Sequence, residues 1–592
     1  MIKLGEIKIK NFRSVKDLSF LCSDIIAFVG YNNAGKSNCL RAIRWALSME
    51  KLDENDFCQL SQDDPEVEFN LKDVTLDKVE RLVINDDKKI SKIEEMIVDG
   101  EIRLKIRATK VDGKIEQKLY YYKNGDWKPN PAGVSNALRC IVPEVFSLSA
   151  KSNSEEQTSK IKSGTLFSKL MGVYVENEIQ KGIQGRLESI LKEIAEDESI
   201  KKLSEDVGSS LSEFYSDIDV SILPSLKSED VYKSFTLQLS SKGGQNMGVG
   251  EFGHGLQRSA ELAFLNCVAN QRSLIVRDKS IVLLIDEPEI FQHPSLINKI
   301  RQVLIKLSTI GYQVALTTHS PNMLQSREIL SHLHIVYSDR VEGTKFRNRE
   351  FVDLNRAQAN DAAVNTVMML NQLAYLPFCE CAVLVEGETE RIIFPELLGD
   401  LFPFTCHRFC IVDVEGCTQF PYVKDILDQF NIRALLIADL DGVSKIVRSD
   451  LSDDLNARIK KISNNFEGYF KTKSEAIKRS AEDYWKLCQE MPDLVNASIR
   501  ELEGCSILVW RQADIEHTLY PALVAKKMKK SKMARYVIDQ KNAFVKEGGC
   551  EPIESWKRVI EEFGGDWSNL VHFSSILSKN ISASSEVQDL KG

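Results

Sequence analysis

The sequence predicts an α/β protein of two successive domains, the first with a helical insertion and the second a parallel sheet flanked by helices. Three observations predict it. A glycine-rich loop joins an apolar strand, "DIIAFV", to an amphipathic helix, "NCLRAIRWALSM". Between about 230 and 355, apolar strands alternate with helical pattern in "SIVLLIDEP", "PSLINKIRQVLIKLS" and "QVALTTHSP". A second alternation starts at Cys381 with "CAVLVEG", "RFCIVDVEG" and "IRALLIADLDG", three apolar strands that each end in an acidic-glycine turn.

The remaining elements follow in chain order. The opening "MIKLGEIKIKNFRSVKDLSF" alternates apolar and charged residues and reads as strand. It lacks the apolar core and cleavage site of a signal peptide. Residues 1 to about 150 read as strands with one early helix. The segment "EIQKGIQGRLESILKEIAEDESIKKL" is charged, proline-free and helical in period. The domain boundaries expected are 1–165 and 226–355 for the two parts of the first domain, with a helical insert at 166–225. A connector at 356–378 leads to a second domain at 379–582. The charged, glycine-poor block 450–500 reads as a helical insertion in it, and 583–592 as a disordered tail.

Composition limits the function. A chain of 592 residues is expected to hold several domains. A formal net charge of -9 excludes a bulk electrostatic nucleic-acid binder, so any DNA contact needs a local basic surface. "AKKMKKSKMARY" offers one, with Lys526, Lys527, Lys529, Lys530, Lys532 and Arg535, although the same run also fits a solvated helix face. No run of about 18 apolar residues is present, so no membrane association is expected, and the chain reads as cytoplasmic. The thirteen cysteines lie scattered, often in apolar runs, as buried reduced thiols do. "CEC" and "CHRFC" lack paired zinc-knuckle spacing.

Two constellations carry chemistry. The first is "GYNNAGKS" at 30–37, the pattern G-x-x-x-x-G-K-S in its proper strand–loop–helix context. Backbone N–H groups between Gly30 and Gly35, Asn33 among them, can cradle the phosphates of ATP at a helix N-terminus. Lys36 would reach the β- and γ-phosphates, and Ser37 would hold Mg²⁺. "IVLLIDEPE" supplies Asp286 for the metal shell and Glu287 as the base that activates water. His319 in "TTHSP" could sense the γ-phosphate, against the plainer reading of a structural histidine. In "GHGLQRS", Gly253 and Gly255 leave room for phosphate, with Gln257 in the helix that follows.

Phosphate loop, "GHGLQ", "LLIDEPE", "FQHP" and "TTHS", in that order, resemble an ABC-type ATPase. "IKIKNFRSVKDLSF" is similar to the branch that works on DNA. That resemblance implies a dimer in which two heads sandwich ATP. The chain departs from it at Gly253-His254, where the usual signature has a serine before Gly-Gly, so slow or tightly regulated hydrolysis is expected.

The second constellation is "VEGETE" with "ADLDG", acidic turns at the ends of two apolar strands about 50 residues apart. Either turn alone also fits an ordinary solvated loop. Strand C-termini of a parallel sheet converge on one edge, so Glu386, Glu390, Asp439 and Asp441 are expected within a few ångströms of one another. Carboxylates that close repel, and a divalent cation is the usual remedy. Oxygen-only ligands favour Mg²⁺ or Mn²⁺. "RQADIEHTLY" adds Asp514 and Glu516 as candidates for a second ion. The pair of turns resembles the Toprim fold, E-G-x-[ST]-[DE] followed by D-x-D.

An ABC-type head followed by Toprim resembles the overcoming-lysogenization-defect (OLD) family, which includes nuclease subunits of Gabija-type and retron-linked phage-defence systems. The resemblance implies a metal-dependent DNA endonuclease or nickase gated by an ABC-type ATPase head, working in anti-phage defence as a homodimer or higher oligomer. It implies two divalent metals on Glu386, Glu390, Asp439, Asp441 and Glu516. It also implies a late lysine near the scissile phosphate, Lys579 first and Lys546 second. The 166–225 block fits the family's dimerisation insert. An operon-encoded helicase, or a retron reverse transcriptase with its RNA, is the kind of partner implied. The alternative is an ATP-driven DNA clamp or sensor whose Toprim domain cuts only with a partner. A topoisomerase or primase would need a tyrosine-nucleophile domain or a zinc module, and neither is visible.

Overall fold

The computed structural model describes residues 1–83, 86–130, 135–148, 281–290, 292–348, 351–352, 371–403, 408–414, 416, 419–443, 453–473, 481–503, 507–510, 513–526, 528–548, 551–563 and 565. It also describes 238–239, 247–248, 256, 263, 567–568, 570–572 and 574–576. The expected helical insert, the "GHG" loop, most of the connector and the tail lie outside these residues.

The first domain opens with strands β1 (Lys3–Phe12), β2 (Val15–Leu21), β3 (Ile25–Val29), β4 (Glu66–Lys72), β5 (Ile102–Val111), β6 (Lys114–Lys123), β7 (Asp126–Pro129) and β8 (Glu144–Leu148). A small two-stranded ladder, β9 (Gln238–Leu239) with β10 (Met247–Gly248), follows. Strands β11 (Ile281–Asp286), β12 (Tyr312–Thr318), β13 (Leu333–Asp339) and β14 (Gly343–Phe346) complete the domain. Twelve strands form one sheet in the order β7-β6-β5-β4-β1-β2-β14-β13-β3-β12-β11-β8. From β7 to β13 the pairing is antiparallel, and from β13 to β8 it is parallel.

Sequence pattern accounts for the split. Strands β3 and β12 are buried at every position, as central parallel strands are, whereas β2, β4 and β5 alternate between core and surface. The helix Lys36–Ser48 buries Leu40, Ile43 and Leu47 against one face of the sheet. The helix Pro294–Thr309 buries Ile297, Ile300, Leu304 and Leu307 against the other.

Three more helices, Leu76–Leu82, Asp87–Glu94 and Ser135–Ile141, stand where the sequence reads as strands with one early helix. Thr75 at an N-cap position, Asp77 in the first turn and Arg81 in the last had marked the first of them.

His334 on β13 is 2% exposed, and among the described residues neither ring nitrogen has a hydrogen-bond partner. Its ring stacks on Phe346 at 4.2 Å and lies near Phe28, Phe20 and Phe351. Burial pushes its pKa down to about 4. Between that value and the ordinary one near 6.5 the unfolded chain binds a proton that the folded chain refuses. Stability is therefore full above about pH 6.5 and falls as pH drops toward 4, by about 3 kcal/mol if the whole shift is expressed. Urea melts at pH 7 and pH 5 are expected to show this loss in the native protein and a smaller loss in His334→Phe.

The second domain is a four-stranded parallel sheet of β15 (Cys381–Val385), β16 (Phe409–Asp413), β17 (Arg433–Ala438) and β18 (Ile507–Val509), in the order β16-β15-β17-β18. Three strands are those expected. The short β18 is not evident from the sequence, because three residues carry no measurable period. Helices Asp453–Lys473, Ala481–Glu490 and Pro492–Glu503 fill the interval between β17 and β18, where a helical insertion is expected. On β15, Ala382 and Leu384 face one core while Val383 and Val385 face another, closed by the helices Lys530–Gly548 and Pro552–Glu562.

The first of those cores is continuous with the first domain. It runs from Leu304, Leu307 and Met323 through Leu373, Leu376 and Cys379 to Ala382 and Ile426. The two sheets therefore share packed side chains rather than a loose linker. Among the described residues no helix is long and apolar enough to cross a membrane.

Candidate functional site

Strands β3, β12 and β11 are neighbours and parallel, so their C-terminal ends present Gly30, His319 and Asp286 on one edge. Gly30 and Gly35 have φ of 149° and 100°, values open to glycine. A Cβ at Gly30 would collide with the Val336 carbonyl, and one at Gly35 with the Thr344 side chain. Both glycines of the motif are thus fixed by backbone geometry and by close neighbours.

The side chains expected at this edge come together. Ser37 Oγ donates to Asp286 Oδ1 at 2.9 Å, and Thr317 Oγ1 donates to the same oxygen at 2.5 Å. That pairs the two proposed Mg²⁺-shell groups, a hydroxyl and a carboxylate. Lys36 is 4% exposed, and its ammonium donates to the carbonyls of Gly30 and Tyr31 at 3.2 and 3.0 Å. It also lies 2.7 Å from His319 Nε2, and that nitrogen is 3.1 Å from Glu287 Oε1. Burial, then the adjacent Lys36 charge, pushes the His319 pKa down. The imidazole is therefore held neutral, able to accept from Lys36. Burial likewise lowers the pKa of Lys36.

Glu287 sits at φ 48°, a left-handed conformation that costs a non-glycine residue about 1 kcal/mol or more. Its N–H is secured by the Thr317 carbonyl and hydroxyl, both at 3.1 Å. Glu289 supports the same edge by accepting from Thr318 Oγ1 at 2.6 Å and from His319 N at 2.8 Å. Sequence reading passed over Glu289 and Thr317, which act only through their neighbours. Asn33 lies on the loop at φ 62°. Gly255 and Gln257 lie outside the described residues.

The second cluster lies at the C-terminal edge of the second sheet. Glu386 follows β15, Asp439 follows β17, and Asp514 and Glu516 lie just beyond β18. Strands β15, β17 and β18 are adjacent, which brings these ends together. Asp439 N donates to Glu386 Oε2 at 3.3 Å. Glu390, 3% exposed in the first turn of the helix Glu388–Leu401, accepts from Trp510 Nε1 at 3.4 Å. Glu516, 2% exposed, accepts from Thr389 Oγ1 at 2.5 Å and pairs with Lys530 at 3.0 Å.

Burial, then the charge of Glu516, pushes the Glu390 pKa up to about 8. Burial followed by Glu390, Glu386, Asp514 and Glu516 drives Asp439 well above the usual carboxylate range. Among the described residues, Asp439 Oδ1 and Glu516 Oε2 are buried without a hydrogen-bond partner. Orphaned oxygens in a mutually repelling, oxygen-only set are what a hard divalent cation satisfies, so the residues fit Mg²⁺ or Mn²⁺ in chemistry. Among the described residues, no three acidic, histidine or cysteine side chains meet as a ligand set. Asp441 follows Asp439 by two residues on the same loop.

Residues 2–124 and 91–324 match the AAA ATPase domain family, and residues 378–441 match the overcoming lysogenization defect protein-like TOPRIM domain. The chain is 28% identical to the Old nuclease of Escherichia phage P2 over 87% of its own length and 92% of the relative's. It is 23% identical to endonuclease GajA of Bacillus cereus (strain VD045) over 75% of this chain and 76% of that one. The chain joins an AAA ATPase domain to an OLD-like TOPRIM domain and is homologous to both nucleases.

Of the two late lysines expected, Lys546 alone is among the described residues. Lys579 lies outside the described residues. Lys546 is exposed in the last turn of the helix Lys530–Gly548, while Lys530 begins that helix at the carboxylates. Sixteen residues of helix separate the two by about 24 Å. Among the described residues, Lys530 is thus the lysine seated against the acidic cluster. Lys526, Lys529, Lys532 and Arg535 are exposed beside it. Asp514 is partly committed elsewhere, capping the helix Ile515–Leu519 and pairing with His517 Nδ1 at 2.7 Å.

Glu388 is exposed, pointing away from the cluster that Glu386 and Glu390 join. Glu388→Ala is expected to keep metal-dependent cutting within about twofold of the native protein, as surface changes do. Glu386→Ala is expected to lose most of it. Parallel plasmid-relaxation time courses on both variants check this.

Proposed function

We propose that this chain is a divalent-metal-dependent DNA endonuclease or nickase whose cutting is gated by its ATPase head, and that it serves in defence against phage. The observation that carries this reading is the mutually repelling set Glu386, Glu390, Asp439 and Glu516 at the edge of a parallel sheet, with Glu390 and Glu516 buried. It stands in one chain with an assembled Lys36, Ser37, Asp286, Glu287 and His319 edge. The names of the relatives, Old nuclease and endonuclease GajA, support it.

Two divalent ions on Glu386, Glu390, Asp439, Asp441 and Glu516 would supply an activated water and charge neutralisation for in-line attack on a phosphodiester. The protein's own groups prepare for that. Thr389 holds the Glu516 carboxylate and Trp510 holds that of Glu390. Lys530, neutralising Glu516 as the structure stands, is our candidate to turn toward the scissile phosphate in place of Lys579. The exposed Lys526, Lys529, Lys532 and Arg535 give the cluster a basic rim that would draw in a phosphate backbone, with strongly salt-dependent binding.

In the head, Glu287 would take the proton of the attacking water, and His319, between Glu287 and Lys36, would register the γ-phosphate. The ATP sandwich between two heads, and hence a homodimer or larger assembly, belongs to the same proposal.

The test is plasmid nicking by the purified protein with Mg²⁺ or Mn²⁺, with and without ATP. Metal-dependent nicks that respond to ATP support the reading. Intact plasmid under every condition favours the second reading, an ATP-driven clamp or sensor that cuts only with a partner such as a helicase or a reverse transcriptase–RNA complex. One observation favours that second reading: Lys530 occupies Glu516.

A further inference from the structure

Among the described residues, a side chain of the phosphate loop reaches the lead-in to the nuclease domain. Tyr31 follows the first glycine of the loop, and its hydroxyl donates to the carbonyl of Phe378 at 3.2 Å. Phe378 ends the short 3-10 helix Leu376–Phe378, three residues before β15. Arg347 Nη1 reinforces the seam by donating to the next carbonyl, Cys379 O, at 2.8 Å. Strand β15 then runs through five fully buried residues to Glu386. A buried strand of that length spans about 17 Å and moves as a rigid piece, because its close-packed neighbours leave no room to bend.

The other end of Tyr31 is on the nucleotide side. Its backbone carbonyl accepts from the Lys36 ammonium at 3.0 Å. The three N–H donors of Lys36 serve the Gly30 carbonyl, the Tyr31 carbonyl and His319, so taking up β- and γ-phosphate oxygens redistributes them. Tyr31 thus shares the Lys36 ammonium with nucleotide, while its hydroxyl grips the lead-in to the strand that carries Glu386.

We propose that Tyr31 is the positioning residue that links nucleotide occupancy to the placement of Glu386. The inference rests on the ATP-gated nuclease reading and adds the contact through which gating acts. Tyr31→Phe keeps the ring and backbone and removes the donor to Phe378.

The experiment uses the full-length protein at saturating Mg²⁺ and a non-hydrolysable ATP analogue, each affinity being measured first. Amide hydrogen exchange over residues 381–390 is followed with and without the analogue, and plasmid nicking is followed in parallel. In the native protein the analogue is expected to change exchange in this segment. In Tyr31→Phe that response, and the response of nicking, are expected to shrink at least about fivefold, the lower end of typical site-to-site coupling. An undiminished response in Tyr31→Phe, or no response over 381–390 in the native protein, overturns the proposal. Exchange needs no DNA cleavage, so a native protein that responds in exchange but does not nick refutes the nuclease reading and leaves this link standing.

Discussion

Asp439→Ala protein is expected to nick plasmid at least about 100-fold more slowly than the native protein, since even residues one shell removed from a metal cost 10- to 100-fold. Asp439 is the most crowded of the carboxylates, with Glu390, Glu386, Asp514 and Glu516 all raising its pKa after burial itself. Its backbone N–H also donates to Glu386 Oε2, so it forms the link between the ends of β15 and β17. Removing the carboxylate relieves repulsion as well as deleting a ligand. The variant is therefore expected to fold at least as stably as the native protein in the absence of metal. That combination, lost cutting with an undiminished urea midpoint in EDTA, separates a ligand from a structural residue. Native-rate nicking by Asp439→Ala would refute the site.

The second large effect is expected at Glu287. Glu287→Gln keeps the side-chain shape and the N–H bonds to Thr317 while removing the base. General-base loss costs about 10²- to 10⁴-fold, so ATP turnover is expected to fall by at least about 100-fold while ATP still binds. Phosphate release and fluorescent-nucleotide binding measure the two separately. If turnover persists at the native rate, another group activates the water.

How much of this was legible without coordinates depends on how local each feature is. The phosphate loop was legible because one stretch holds strand, glycines, lysine and helix. Asp286, Glu287 and His319 were legible because each lies just beyond an apolar run that reads as a buried strand. Glu386 and Asp439 required one further inference, that parallel strands share an edge, and the order β16-β15-β17-β18 bears it out. The departures are non-local. The three extra helices before residue 150 are short, and a long strand-rich pattern masked their caps. Strand β18 has too few residues to show a period.

Lys530 appeared in the sequence as one basic residue among six in a solvated or DNA-facing run. Its place on Glu516 depends on how the helix Lys530–Gly548 packs against the helix Glu388–Leu401, and no spacing within the run encodes that. The same holds for Tyr31, an ordinary residue inside a motif until the fold sets Phe378 beside it, and for His334, polar by type yet enclosed by phenylalanines from three separate strands and a loop.

The sequence by itself determined the two α/β domains, the identity of the nucleotide edge and the acidic strand ends, because glycine geometry, strand period and charge repulsion act within a few residues. Only the tertiary structure decided that Lys530 meets the acidic cluster and that one core joins the two sheets. Those outcomes depend on packing between separate segments of the chain, where the energy lies in burial and shape and no local pattern records it.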